Sequence, residues 1–314
     1  MYISLFIIFI MREAITKFLD PTNDIAFRRI FGTEKNKDIL IHFINDILGL
    51  QGKDQIQDIT FQPTIQDPEI ASKKQSTIDV LCKDANGVQI IVEMQVAPQQ
   101  GFAKRAQYYA AKAYARQLNK GKKEGARYKD LKAVIFIAIC SRAIFKHKKA
   151  YLSRHIILDK ETYTQDFKDF SFTIVELSKF KIKKIENLSN IIEKWCYFFK
   201  YAPKTTESDL AKIIGTDEMI ERAYEELNQF NWTEAELNAY EKEEKRLMDN
   251  QAAEDYIFNQ GIEKGIVEGR EKGRAEGKTE AKLELARRLL QDGMPIERVV
   301  KLTGLSAKAI EQFK

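Results

Sequence analysis

The sequence predicts an α/β fold, and three observations support that class. The chain has 314 residues, which is enough for one large domain or two smaller ones around a hydrophobic core. Hydrophobic residues make up 44% and charged residues 31%, a balance that excludes a disordered chain and an integral membrane protein. Helical and β-type patterns follow one another in the order helix, three strands, helix, strand, which favours helices layered on a sheet.

Two helices begin the predicted core. Thr22 or Asn23 can cap a short helix that Gly32 ends, and a second helix over residues 38–48 ends at Gly49. The elements that follow are β-type runs at 56–62, 76–83 and 88–96, a helix at 102–119 and a strand at 131–140 that is continuously apolar after Lys132. Weaker patterns indicate strands at 155–158 and 172–177, a helix at 188–201 and mostly helix from 207 to 260.

The first ten residues form the longest apolar run without charge. The run is too short to span a bilayer and lacks the basic leader and cleavage site of a signal peptide. We expect Met11 to be the true start, so that residues 1–10 are a spurious upstream extension; a membrane-surface anchor is the alternative. We therefore expect a cytoplasmic protein that does not bind membranes.

The charge balance and the scarce cysteines and histidines limit the kind of site. A net charge of +5 permits nucleic-acid binding without requiring it. The three cysteines lie far apart in apolar runs, as buried thiols of a reducing compartment do. Three histidines leave little room for a zinc site, so any metal site is expected to use oxygen ligands.

Two acidic residues, Asp79 and Glu93, lie inside otherwise apolar strands. A buried carboxylate costs several kcal/mol unless it has a cation, hydrogen bonds or a metal ion as its partner. A two-residue Asn-Gly loop between the strands would pair Asp79 with Met94, whereas a three-residue loop would place Asp79 opposite Glu93. We predict the three-residue loop, because Asp begins the type I turn and Gly takes its left-handed position.

Opposed residues have Cβ atoms about 5 Å apart, a separation at which two carboxylates can share a divalent ion. Oxygen ligands without His or Cys suit Mg²⁺ or Mn²⁺. Such an ion polarises a phosphoryl oxygen and lowers the pKa of a bound water, which is the chemistry of phosphodiester hydrolysis. In the alternative interpretation the acids are edge residues paired with surface lysines, for which Lys73, Lys74 and Lys104 are available.

Three segments, residues 21–32, 76–80 and 92–95, resemble the Rpn family of recombination-promoting nucleases, also described as PD-(D/E)XK nuclease family transposases. The resemblance extends from about residue 11 to residue 260. It implies a restriction-endonuclease-like αβββαβ core, here with a helical C-terminal extension. It also implies DNA as the partner, divalent-metal-dependent endonuclease activity and a role in recombining or moving DNA.

The resemblance assigns roles to individual residues. Asp79 matches the metal-binding aspartate and Glu93 the second acid, while Ile78 stands at a position resembling the motif's proline. Gln95 stands where the motif more commonly has lysine, so it can orient a water by hydrogen bonding without supplying positive charge. Asp24 is the candidate for an acid drawn from the first helix; the alternative is a first-turn carboxylate that interacts with the helix dipole.

The positive charge that Gln95 lacks could come from Lys73 or Lys104. The helix at 102–119 mixes basic and aromatic side chains, which suits contact with a phosphate backbone. We expect Lys104, Arg105 and Tyr109 to contact DNA. In the alternative interpretation the tyrosines of this helix pack on the sheet and its lysines are solvated.

The C-terminal region has two unusual patterns. Five glycines recur every fourth residue within a charged helical sequence, at positions 261, 265, 269, 273 and 277. They predict either a close helix–helix contact that forms a homo-oligomer or a charged tether that is only partly helical. Residues 294–313 resemble a helix-turn-helix. We interpret it as a packing or oligomerisation unit rather than a DNA reader, because its second helix has few basic residues.

The sequence thus predicts a nuclease-like core at 11–200, a helical region at 201–260 and a tail at 261–314. The predicted function is a metal-dependent DNA endonuclease, with Asp79 and Glu93 as metal ligands and Gln95 and Asp24 as further catalytic residues. The rival hypothesis is a catalytically inactive DNA-binding or oligomerising remnant of a mobile-element protein.

Overall fold

The computed structural model describes residues 16–66, 76–96, 101–118, 127–215 and 217–312. The predicted extension at 1–10 lies outside these residues. The chain divides into two compact units, Met1–Leu247 and Met248–Lys314. The first unit contains the sheet and all of the residues proposed for the site.

The first two helices form where the sequence predicts them. Helix α1 (Asp24–Phe31) is capped by the Asn23 side chain, which accepts a hydrogen bond from the backbone N–H of Ile25. Helix α2 (Lys37–Leu48) ends at Gly49, whose φ of 72° lies in the left-handed region that favours glycine.

A six-stranded mixed sheet forms the centre of the first unit. Its strands are β1 (Ile59–Phe61), β4 (Val80–Asp84), β5 (Gln89–Gln95), β6 (Val134–Cys140), β7 (Leu152–Ile156) and β8 (Phe170–Glu176). They lie in the order β1-β4-β5-β6-β8-β7, with β5, β6 and β8 parallel to one another and the remaining pairs antiparallel. Two short strands, β2 (Ile65–Gln66) and β3 (Ser76–Thr77), pair separately.

Helices cover both faces of this sheet. Helix α3 (Phe102–Arg116) packs its buried alanines on one face, against residues of β5, β6 and β8. The other face belongs to the larger core, which includes α1, α2, α4 (Ile191–Tyr201) and α6 (Glu218–Leu227). The remaining helices are α5 (Glu207–Ile214), α7 (Glu234–Gln291), α8 (Ile296–Thr303) and α9 (Ala307–Glu311).

Helix α1 is held in place by residues more than 190 positions later in the chain. The backbone N–H of Asp20 donates to the Tyr240 hydroxyl at 3.0 Å, and the Asn23 side chain donates to the Tyr240 carbonyl. Arg29 forms ion pairs with Glu226 and Glu236. The start of the core is therefore fixed by its last helices.

The predicted αβββαβ order is confirmed by the succession α1, β1, β4, β5, α3, β6. One predicted strand, 76–83, is interrupted at Ile78 and Asp79 and becomes β3 and β4. The strand predicted at 155–158 lies at Leu152–Ile156, which pairs with β8 at the sheet edge. The five regularly spaced glycines all lie within α7, so the prediction of a partly helical tether was wrong.

Candidate active site

A tight hairpin turn sets the register of the two strands that carry the acids. The backbone N–H of Gly87 donates to the Asp84 carbonyl at 3.0 Å, and that of Asp84 donates to Val88. Gly87 has a φ of 83°, and the Asp84 carboxylate accepts from the backbone of Val88 at 2.8 Å. The predicted three-residue loop is confirmed, because Val80 pairs with Val92 and the next position brings Asp79 opposite Glu93.

Polar side chains gather where the parallel strands end. Successive residues alternate between faces, so Glu93 shares the α3 face of the sheet with Gln95. The register aligns Glu93 with Ala138 of β6 and Ile174 of β8. The row beyond it aligns Gln95, Cys140 and Glu176 at the carboxyl ends of β5, β6 and β8. These two rows define the edge at which the candidate site lies.

Glu93 is buried without a full set of partners. It is 7% exposed, and among the described residues no group forms a hydrogen bond with its Oε1 atom. Burial raises the pKa of this carboxyl to about 8, and the negative charges of Asp79 and Asp24 act in the same direction. The Arg105 guanidinium lowers the pKa in opposition. Glu93 therefore resists ionisation until a cation approaches.

Asp79 sits just before β4 and has partners for both oxygens. Its Oδ2 accepts from the backbone N–H of Met94 at 2.9 Å, and its Oδ1 is 3.4 Å from Nη2 of Arg28. Burial raises the pKa of Asp79, although the Met94 N–H and the Arg28 charge oppose that change. The carboxylate is thus fixed in orientation by the neighbouring strand and by α1.

Asp24 lies close enough to the strand acids to interact with their charge. Burial raises its pKa to about 6, and the Asp79 charge is the next cause. Asp24 is also in the first turn of α1, as the helix-dipole interpretation requires, and its carboxylate is 3.9 Å from Arg246. The site-acid and helix-dipole interpretations are compatible, because the Asp24 carboxylate lies both in the first turn of α1 and within the influence of the Asp79 charge.

The cation beside Gln95 is an arginine. Nη2 of Arg105 donates to the Oε1 atom of Gln95, while its guanidinium lies over the rings of Phe102 and Tyr109, 5.5 and 5.9 Å from their centroids. Lys104, proposed as that cation, is exposed to solvent. Lys73 and Lys74 lie outside the described residues.

Tyr109 is half-buried near the acids. Burial raises the pKa of its hydroxyl, and the Glu93 charge contributes to the same shift. The sequence thus predicted three DNA-contacting residues on α3, of which Arg105 and Tyr109 face the acids and Lys104 faces solvent. Their contact with DNA stays a prediction.

Sequence reasoning missed two residues at this edge, Arg28 and Glu176. Arg28 lies in the segment that carries the family resemblance, but its partner Asp79 is 51 positions away. Glu176 follows an apolar run as Glu93 does, and that signal was present in the sequence. Glu176 is fully buried, and Nζ of Lys179 lies 2.6 Å from its carboxylate.

The acid pair has a donor set that fits a hard divalent cation. Two opposed carboxylates, one with a buried oxygen that lacks a hydrogen bond, suit Mg²⁺ or Mn²⁺. In the described ranges no group of three or more His, Cys, Asp or Glu side chains is arranged to hold a metal. Asp79 and Glu93 would therefore supply two ligands, and the others would come from backbone carbonyls, water or substrate.

Comparison with protein families gives two matches. Residues 21–256 match the model of the PD-(D/E)XK nuclease family transposases, which is three quarters of the chain. The chain belongs to this family. Residues 279–314 match the C-terminal helix-turn-helix domain of the Rpn/YhgA-like nuclease family. Neither the curated proteins nor the solved structures contain a match.

The two matches bear on fold, partner and cofactor class. They support the resemblance seen in residues 21–32, 76–80 and 92–95, and family membership indicates a nuclease that typically uses divalent metals. The helix-turn-helix implies DNA binding, which favours the interpretation that sequence reasoning ranked second. Of the helices in the described ranges, none has the length and apolar character needed to cross a bilayer.

Proposed function

We propose that the protein is a divalent-metal-dependent DNA endonuclease that hydrolyses phosphodiester bonds during recombination or transposition of DNA. The observation that carries the proposal is the buried Oε1 atom of Glu93, which has no hydrogen-bond partner among the described residues and lies on a side chain opposite Asp79. A buried carboxylate in that condition costs free energy unless a ligand compensates it. Membership of a nuclease family supplies independent support.

Four side chains have distinct roles in this proposal. Asp79 and Glu93 hold the cation, which when bound would polarise a phosphoryl oxygen and lower the pKa of a water. Gln95 orients the attacking water by hydrogen bonding. Arg105 is a positioning residue that fixes Gln95 through its hydrogen bond and supplies the positive charge that the glutamine lacks.

Asp24 completes the proposed set. Its raised pKa suits a group that exchanges a proton near neutral pH, because the value of about 6 lies close to the operating range of a general acid or base. In the described ranges no third acidic side chain joins Asp79 and Glu93 in a metal-binding group, so Asp24 is not one of the metal ligands in the proposal.

A nicking assay on supercoiled plasmid with Mg²⁺ or Mn²⁺ tests this function. We expect cleavage by the full chain, none with EDTA, and a loss of about 10³-fold in Asp79→Asn and in Glu93→Gln, as removal of several kcal/mol of transition-state stabilisation predicts. Glu161→Gln, at an exposed loop position, is the matched control and should keep full activity.

The same assay addresses the rival hypothesis of an inactive remnant. Full activity in the Asp79→Ala, Glu93→Ala double variant would contradict the site assignment. No cleavage with any divalent metal, together with retained DNA binding, would favour the remnant.

We also propose that the C-terminal helices form a homo-oligomer. In α7 the side chains of Ile257, Phe258, Ile262 and Ile266 are between 45% and 68% exposed. The regularly spaced glycines have open space where a Cβ atom would lie, so a second helix can approach closely. Sedimentation of the full chain and of an Ile262→Glu, Ile266→Glu variant tests this. We expect the variant to have a smaller mass in solution, because the introduced charges disrupt the oligomer.

A further inference from the structure

Residues 141–150, here called the basic loop, carry a concentration of positive charge. The segment contains four basic side chains and a histidine but no acidic residue, whereas Lys+Arg and Asp+Glu number 51 and 46 overall. Arg142, Lys146 and Lys149 are exposed, and Nζ of Lys148 lies 5.2 Å from the ring centroid of Phe145. Such a cluster attracts a polyanion.

The basic loop begins beside the candidate active site. It leaves β6 directly after Cys140, and the backbone N–H of Ser141 donates to the Gln95 carbonyl at 2.9 Å. Gln95 follows Glu93 by two residues on the same strand face. The basic loop therefore begins one row of the sheet beyond Glu93.

A buried acid fixes the backbone of the loop. The Glu176 carboxylate accepts hydrogen bonds from the backbone N–H groups of Ile144 and Phe145, the latter at 2.9 Å. Lys179 donates both to Glu176 and, at 2.8 Å, to the Phe145 carbonyl. Because the backbone is held by buried groups, the basic side chains have a preorganised base, which reduces the entropy lost on binding.

Behind the basic loop lies a half-open cavity of about 280 Å³, here called the aromatic cavity. Its lining includes Phe102, Phe145, His155, Ile156, Phe172 and Ile174.

The sheet register gives the distance from the aromatic cavity to the acids. Ile174 stands in the row that contains Ala138 and Glu93, two strands away. Adjacent strands are about 4.8 Å apart, so the separation is about 10 Å.

We propose that the basic loop binds the phosphates of a DNA strand leaving the acid pair, and that the aromatic cavity takes an unpaired base of that strand. The proposal rests on the proposed function, since the strand is the one held for cleavage. Basic side chains beside aromatic rings are the combination that binds single strands, because charge tracks the backbone and every base has a face that stacks. Phe145 joins both parts, since its backbone is fixed by Glu176 and its ring lines the cavity.

The loop is tested by the salt dependence of binding. In the full chain carrying Glu93→Gln and in EDTA, we compare the triple variant Lys146→Ala, Lys148→Ala, Lys149→Ala with a control. The control triple replaces three lysines from elsewhere in the chain: Lys53, Lys129 and Lys132.

Fluorescence anisotropy with a single-stranded oligonucleotide gives log K against log salt. Each phosphate contact contributes a slope of about 0.7 for single strands, so the loop triple should lose about 2 from the slope. The control should lose less than half as much. Equal slopes for the two triple variants would overturn the loop assignment. The helix-turn-helix is unchanged in both variants, so its contribution to the slope is the same and cannot produce a difference.

The cavity is tested with a duplex that has one unpaired base and the same duplex fully paired. We expect the protein with Phe145 intact to bind the duplex with the unpaired base more tightly than the fully paired duplex. Phe145→Ala should reduce that ratio of affinities about 5- to 100-fold, as the loss of one stacking partner predicts. Phe145→Leu keeps the cavity apolar and should reduce the preference nearly as much. Equal affinity of the wild-type chain for both duplexes, or full preference in Phe145→Leu, would overturn the cavity assignment.

Binding in EDTA separates this inference from the proposed function. Metal-dependent cleavage with an unchanged salt slope in the loop triple would refute the inference alone. A lost slope without cleavage at any metal would refute the endonuclease alone. Thermal unfolding of each variant provides the check that the substitutions leave the fold intact.

Discussion

The tripeptide Ile-Val-Glu occurs twice in the sheet, at 91–93 on β5 and at 174–176 on β8, with different surroundings. Both glutamates lie on the face covered by α3 and both are buried. Glu176 has Lys179 and two backbone N–H groups as partners. Glu93 has a buried oxygen without a hydrogen bond among the described residues and faces another acid across the hairpin.

The difference is the one that we expect between a structural acid and an acid that binds a ligand. Burial alone is common to both, so burial does not identify the functional residue. What identifies it is the unmet demand for positive charge, since an ionised carboxylate in a buried setting needs a cation or donors. At Glu176 the protein supplies them, whereas at Glu93, in the proposed function, a bound ion meets part of that demand. The following experiments test this contrast, beginning with the largest expected effect.

Glu176→Gln should lower the free energy of unfolding by about 3–5 kcal/mol, because it leaves the mostly buried Lys179 ammonium without its counter-charge. Chemical denaturation followed by tryptophan fluorescence measures this, since Trp195 and Trp232 both lie in the first unit. Glu161→Gln is the control, with an expected change within about 0.5 kcal/mol. A loss below about 1 kcal/mol at Glu176 would remove the contrast.

Glu93→Gln should have the opposite sign and stabilise the metal-free protein. The folded-state pKa of Glu93 is raised to about 8 from its ordinary 4.5. The contribution of this one group to the free energy of unfolding is therefore fully present below 4.5, falls as pH rises, and is lost above pH 8. Glutamine cannot ionise, so the advantage of the variant should grow from near zero at pH 4.5 to several kcal/mol above pH 8. An advantage that does not change with pH would contradict the assigned environment.

Metal alone should stabilise the wild-type protein. At a concentration about 100 times its dissociation constant, Mn²⁺ or Mg²⁺ should add about 2.7 kcal/mol, seen as a rise in the thermal midpoint. The rise should be larger at pH 8.5 than at pH 6, because the carboxyls must lose their protons to bind a cation. Glu93→Gln should abolish the rise and Glu161→Gln should retain it; an equal rise in both variants would place the metal elsewhere.

Arg105→Leu gives the smallest and most specific effect. Its charge lowers the pKa values of Glu93 and Asp79, so its removal should move the acidic limb of the pH–rate profile for cleavage upward by about 1 unit. Arg105→Lys keeps the positive charge, so the acidic limb of the pH–rate profile should stay at its wild-type position. Gln95→Lys in the Arg105→Leu background should restore the limb in part, whereas a purely structural role for Arg105 predicts no restoration.

Local chemistry explains which features were predictable from sequence. The hairpin loop is set by the four-residue turn that begins at Asp84 and ends at Gly87, because both residues favour this turn. The register of Asp79 and Glu93 follows from the length of that loop. The caps of α1 and α2 are predictable for the same reason. Helix α3 was predictable as an element, but its rotation on the sheet was not. That rotation decides that Arg105 reaches Gln95.

The contrast between the two glutamates was not predictable. The run Ile-Val-Glu is the same at both positions, and the distinction depends on Lys179 and on a loop whose backbone folds back to β8. The contact of Arg28 with Asp79 depends in turn on how α1 packs against the sheet edge. Such pairings are set by tertiary packing, which sequence spacing does not record.

The hydrogen bonds that join Asp20 and Asn23 to Tyr240 have a consequence for the nascent chain on the ribosome. Synthesis proceeds at about 5–20 residues per second, so the hairpin with both strand acids emerges about 7 to 30 seconds before Tyr240 does. During that interval the last partners of α1 do not yet exist, and Asp24 and Arg28 lack their final support. The complete acid cluster is therefore a property of the nearly finished chain.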